Sequence, residues 1–336
     1  MKGRKKVLKN SEREKRGARR DLAGMLFGGG FLLSSVAALV MLFQEPGGSG
    51  DRQVGSDIAG GPGIAVVDIR GLITVSRQSG FGGISKGIAR PVESIRKLAK
   101  APLVKGLVVR IDSPGGAVAA SQELYNAIRR FRKSGKPVVA SFGDVAASGG
   151  YYAACAASRI VANPGSTTGS IGVILVAPDM KGLYDWVRIK WNVIKSGRFK
   201  DILSPYRSMT AGERVYLRQM VMDSYRQFFD AVHKGRKITR ARLVTLAQGQ
   251  VFTGRQAQKL GLVDELGDLE HALLLAGRLA GIAGRPRVIR IRTRPGLGDL
   301  LGLLTGLKPQ ISLFPAAPGQ TVCSRGAGVY YLYRGY

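Results

Sequence analysis

Three glycine-punctuated stretches of this chain carry side chains and amides of the kind that acyl-transfer chemistry uses. They are Asp112-Ser113-Pro114-Gly115-Gly116, Ala146-Ala147-Ser148-Gly149-Gly150-Tyr151-Tyr152 and Ser196-Gly197-Arg198-Phe199-Lys200-Asp201. Such chemistry needs a hydroxyl nucleophile, a base to take its proton, and N–H donors aimed at the developing oxyanion. Ser148 is a candidate nucleophile, between alanine and glycine at a strand-to-helix junction, where its hydroxyl is expected to be exposed. The ordinary alternative is a serine that caps the following helix. Gly115 and Gly116, which end a strand and open a helix, are candidate oxyanion donors. The alternative there is a plain strand-to-helix turn.

The base is the harder assignment. The chain has 2 histidines, the usual partners of a catalytic serine. His233 ends a long helical pattern, His271 opens another, and neither adjoins a glycine turn. A lysine remains. Its ordinary pKa is about 10.4, and desolvation can bring a lysine amine down by several units. Lys200 follows the strand-like run Ile189–Lys195 and a glycine turn. Taken alone, such a lysine equally reads as a solvated surface charge.

The elements that must hold these residues alternate. Ile64–Ile69, Leu103–Asp112, Pro137–Phe142, Arg159–Ala162 and Ile171–Leu175 read as strands. Pro91–Lys100, Ala117–Lys133, Gly149–Ala157 and Ala211–Val232 have helical spacing, and Leu243–Leu266 reads as a small helix, a turn and a closing helix. Short β-branched runs separated by helices predict an α/β domain with right-handed crossovers.

The formal charge is +30, with 52 Lys and Arg against 22 Asp and Glu. No zinc-finger, RRM or helix-turn-helix pattern accompanies it, so anionic lipid is the better expected partner than nucleic acid. A dense basic block fills residues 1–21, and Leu22–Phe43 follows without a charge. That run is long enough to cross a hydrocarbon core of about 30 Å as a helix. The positive block is expected on the cytoplasmic side and the rest of the chain outside. Residues 44–63 read as a Gly-rich linker, 64–280 as the main domain and 281–336 as a C-terminal extension, with Leu297–Leu307 a short apolar helix too brief to span. The 2 cysteines build no disulfide framework, and no ligand spacing for a metal or phosphate-binding loop is present, so no cofactor is expected.

Taken in order, the motifs resemble peptidase family S49, the signal peptide peptidase A family in its short bacterial form. The resemblance spans about Ile64–Gly277 and adds Thr168-Gly169-Ser170-Ile171-Gly172-Val173, Phe252-Thr253-Gly254-Arg255-Gln256-Ala257 and Gly261-Leu262-Val263-Asp264. It implies a Clp-protease/crotonase-like fold of repeated ββα units. Ser148 would be nucleophile and Lys200 base, Ser170 would hold the amine, and Gly115 and Gly116 would bind the oxyanion. It further implies a dome-shaped homo-oligomer, with an octamer one expected size, whose sites are shared between neighbouring subunits. The substrates implied are remnant signal peptides and other apolar peptides at the outer face of the cytoplasmic membrane. A crotonase-like acyl-CoA enzyme and a non-catalytic membrane scaffold are the competing expectations from the same fold.

Overall fold

A computed structural model describes residues 61–75 and 87–290 in full, and the backbone of 328–332. The basic segment, the apolar run Leu22–Phe43, most of the linker and the apolar stretch Leu297–Leu307 lie outside the described residues. Among those described, no helix is long and apolar enough to cross a membrane.

The domain is built on a mixed sheet of eight strands. β1 (Gly63–Arg70), β2 (Val104–Ser113), β4 (Val138–Ala147) and β5 (Arg159–Ala162) run parallel at its centre. β9 (Glu265–Leu266) extends one side, and β10 (Arg287–Arg290) pairs with β1 on the other. β6 (Thr167–Gly169) pairs with the far end of β4, and β8 (Val251–Thr253) runs antiparallel to β6. Parallel central strands are covered on both faces, which explains their continuous apolar sequences. Ile64, Val66, Val108, Val139 and Val161 meet Ala272, Leu273 and Ala276 of α8 (Leu269–Leu279) on one face. The opposite set, Leu107, Val109 and Ile111, is equally buried.

Crossovers supply the second layer. α1 (Ala89–Lys100) joins β1 to β2, and α2 (Val118–Lys133) joins the β2 region to β4. α2 buries Ala120, Leu124, Ala127, Ile128 and Phe131, the stripe its periodicity requires. α3 (Gly149–Ala154) lies against Ile111, since a Cβ on Gly150 would come within 3.3 Å of the Ile111 side chain. α5 (Ala211–Arg236) starts at a capping box between Thr210 and Glu213 and stops at Lys237, which takes a left-handed turn.

The sequence reading is corrected in several places. Of the expected strand Ile171–Leu175 only the end is realised, in β7 (Ile174–Val176), after the separate β6 at Thr167–Gly169. Ile189–Lys195 is no strand; it is exposed and has no edge to pair with. It follows α4 (Lys181–Trp186) on an apolar arm where Trp186 is 80% exposed. Gly115–Ala117 forms a short strand, β3, so α2 begins only at Val118. In the C-terminal tail, β11 (Gly328–Leu332) pairs antiparallel with β3 on one side and β7 on the other, making a second sheet of three strands. α6 (Arg240–Leu246) and α7 (Gly254–Lys259) complete the domain.

Candidate active site

Ser148 sits where β4 hands over to α3. The end of β4 is bent into place by Asp112, whose carboxylate accepts from the Val145 amide at 3.2 Å where the β2–β4 register shifts. The Ser148 amide then donates to the Gly169 carbonyl at 2.9 Å. Behind the serine, Tyr151 donates its hydroxyl to the Leu262 carbonyl at 2.9 Å, and Tyr152 lies against Tyr125 and Phe228. The two tyrosines of the motif are therefore anchors of the turn.

Ser148 takes φ 51° and ψ −116°, outside the regions a non-glycine residue prefers. It occupies the N-cap position yet makes no side-chain cap bond, so the capping alternative is not realised. Its Oγ is buried with no hydrogen-bond partner among the described residues. The expectation of an exposed hydroxyl is corrected too: Ser148 is 1% exposed. Its neighbours explain this. A Cβ on Gly149 would stand 3.2 Å from the Gly116 amide nitrogen and 3.3 Å from Gly115 Cα, so β3 lies directly against the start of α3.

Gly115 and Gly116 are thus beside Ser148, on a strand instead of a helix terminus. Gly115 has φ 107°, which its lack of a side chain permits. Its amide donates to Ser113 Oγ at 3.1 Å. Ile73 takes one edge of β3, donating to Gly115 O and accepting from the Ala117 amide. The Gly116 amide faces the other edge, where β11 lies opposite it at Tyr331. Ser113 is the group missed in the sequence; a serine two residues before the glycine is the usual signal of such a local turn.

Ser170 follows Gly169 directly, with φ 50° and its amide donated to Gln250 O at 2.7 Å. It stands at the rim of an apolar groove of about 710 Å³ lined by Ile171, Val173, Val221, Met222 and Tyr225. The fold brings Ser148, Ser170, Gly115 and Gly116 together. Lys200 makes no hydrogen bond to Ser148 Oγ among the described residues. It is exposed on the turn after the apolar arm. Neither histidine replaces it: His233 Nδ1 lies 2.6 Å from Ile238 O, and His271 Nε2 lies 2.7 Å from Glu265. Cys155 is buried and its thiol is pushed up to about 12 by that burial, which makes it an inert core group.

Comparison with known proteins places this arrangement. Residues 130–283 match Peptidase family S49. The "Putative protease slr0021" of Synechocystis is 40% identical, over 70% of this chain and 84% of its own. The "Putative protease MJ0651" of Methanocaldococcus jannaschii is 33% identical, over 81% and 86%. The "Serine protease SPPA, chloroplastic" of Arabidopsis thaliana is 33% identical over 64% of this chain and 32% of that longer protein. With an α/β core, a strained serine at a strand-to-helix turn and relatives aligned over most of their length, the chain belongs to peptidase family S49 and is a serine protease.

Proposed function

We propose that this serine protease is a membrane-anchored endopeptidase that uses a Ser/Lys dyad, with Ser148 as nucleophile and Lys200 of a neighbouring copy as base. One observation carries the reading. Ser148 holds a buried, unpartnered hydroxyl on a strained backbone. Such a group costs stability, and it is kept where the position serves a reaction. The Ser148 hydroxyl without a partner among the described residues and the exposed Lys200, on the turn that follows the apolar arm, are complementary, and a second copy of the chain would join them. Trp191 and Ile194 of that arm are exposed in the single chain, as a subunit contact would require.

In this scheme the Lys200 amine takes the Ser148 proton as Oγ attacks the scissile carbonyl. The tetrahedral oxyanion is held by N–H groups of the Gly115–Gly116 strand. Collapse breaks the C–N bond, the leaving amine receives the proton from Lys200, and an acyl-enzyme remains on Ser148. Water then attacks with Lys200 again as base. Ser170, at the rim of the groove, orients the amine.

Substrate binding follows from the sheets. The tail strand β11 lies between β3 and β7, which supports addition of an extended peptide at those edges. The apolar groove beside Ser170 suits an apolar side chain of such a peptide. Signal-peptide remnants fit this description, and the charge-free run Leu22–Phe43 after a basic segment supports an anchor that leaves the domain outside the cytoplasmic membrane. A Clp-protease/crotonase-like architecture and a dome-shaped oligomer belong to the same proposal; parallel strands with crossover helices support the former.

The test uses the full chain in detergent with a fluorogenic apolar peptide. Ser148→Ala and Lys200→Ala should each be inactive, and their mixture after subunit exchange should regain part of the activity. Hydrolysis that survives Ser148→Ala sinks the nucleophile; hydrolysis that survives Lys200→Ala sinks the base. Inactive parents that never complement, despite demonstrated mixing, sink the shared site.

A further inference from the structure

We propose that Arg207 is a positioning residue for the reaction: it ties Asp201, the neighbour of Lys200, to Glu213 in the first turn of α5, and so fixes where the exposed amine is presented. The inference rests on the reading of Lys200 as the base.

The geometry is that of a clamp. Arg207 donates Nε to Asp201 Oδ2 and Nη2 to Asp201 Oδ1, both at 2.8 Å. The same guanidinium donates Nη1 to Glu213 Oε2 at 2.9 Å and Nη2 to Oε1 at 2.5 Å. Glu213 is locked in turn by the Thr210 amide at 2.9 Å. Lys195 adds an outer ion pair to Asp201 at 2.7 Å. Asp201 is 8% exposed and Glu213 3%. Removing such charges from water is costly, and the return is a defined geometry, which a planar fork to two carboxylates supplies better than any apolar contact.

The other flank of Lys200 is pinned as well. Phe199 stacks on Tyr216 of α5 at 5.2 Å between ring centres, with Arg198 over the Phe199 ring. The turn is closed by the Lys200 amide to Gly197 O at 3.0 Å and the Ser204 amide to Asp201 O at 3.1 Å. Both neighbours of Lys200 are therefore fastened to one long helix, while the lysine side chain itself projects into solvent. A turn with no duty at its tip would not need such fastening. An amine that must meet a hydroxyl on another copy does, because a displacement of about 1 Å can cost about 10²-fold in rate.

The experiment uses the full chain. Arg207→Gln should lower kcat about 10²-fold with KM within about twofold. Arg207→Lys, which keeps the charge but loses the fork, should recover little of it. Mixed subunits separate positioning from folding. Placed on the Ser148→Ala chain, which supplies Lys200, Arg207→Gln should lower the rescued activity by the same factor of about 10². Placed on the Lys200→Ala chain, which supplies Ser148, it should leave the rescue intact. Where the parent chains do not complement, the Lys200→Ala/Arg207→Gln double variant decides: a residual rate equal to that of Lys200→Ala supports the clamp. An unchanged kcat, equal loss in both mixtures, full activity of Arg207→Lys, or an added loss in the double variant overturns it. Wild-type activity in Lys200→Ala instead overturns the base and leaves the clamp without a purpose. If Arg207→Gln does not fold, the kcat of Arg207→Lys at unchanged KM carries the test.

Discussion

Ser148 and Ser170 stand on either side of a single hydrogen bond, from the Ser148 amide to the Gly169 carbonyl at 2.9 Å, and both hold a positive φ, 51° and 50°. The bond makes the two turns one unit. Its acceptor, Gly169, has φ 83°, and a Cβ there would stand 2.7 Å from the Phe252 ring and 2.9 Å from Gln250 O. Gly169→Ala should therefore cost on the order of 2 kcal/mol and reduce activity by shifting both serines. Thermal melts and steady-state rates check it; an alanine tolerated without loss would mean that the two turns are independent.

Ser148→Ala offers an opposite pattern. The hydroxyl has no partner to lose, so its removal should leave stability unchanged or raise it by about 1 kcal/mol. Activity should fall by about 10⁶, the scale seen when a nucleophilic serine is removed. Denaturant unfolding of wild type and variant, paired with peptide hydrolysis, reads both. A large loss of stability would show that the hydroxyl is a structural group.

Much of this arrangement was legible in the residues. Strands β1, β2 and β5 follow from continuous β-branched runs, and α2 from its apolar period, because burial on two faces or one stripe leaves a local imprint. Ser148 lies at the turn against Gly115 and Gly116 and is hydrogen-bonded to Gly169, the residue before Ser170. What was not legible depends on long-range pairing. Gly115–Gly116 reads as a helix start until Ile73 and β11, far away in sequence, claim its two edges as a strand. Ile189–Lys195 has strand composition but no partner edge. The clamp on Asp201 was missed because a charged residue on a turn looks solvated unless its arginine and glutamate are seen to converge.

Acid should test that convergence. Arg207, followed by Lys195, holds the Asp201 carboxyl well below the usual carboxylate range. The Glu213 carboxyl is pulled down to about 2, first by Arg207 and then by the Thr210 amide. Unfolded, the two groups titrate at about 3.9 and 4.3. A folded value lower than the unfolded one gives stability that is present above the unfolded pKa and lost as pH falls toward the folded one. The melting temperature should thus be flat from neutrality to about pH 5 and drop between there and about pH 2. In Arg207→Gln that drop should shrink. Equal acid slopes in wild type and variant would mean that the pairs do not persist in solution.

The last prediction concerns the tail strand. β11 takes the edge of β3 that carries the Gly116 amide and the edge of β7 that leads on from Ser170. An extended substrate adding at the same edges must displace it, and apparent affinity falls by the fraction of sites left open. If the tail holds its place about nine-tenths of the time, deleting Gly328–Tyr336 should lower KM about tenfold while kcat stays level. A free peptide of that sequence should then inhibit the truncated chain competitively. A KM unchanged by truncation would mean that substrate enters by other edges, and a fall in kcat would make the tail part of the scaffold that holds β3 against Ser148.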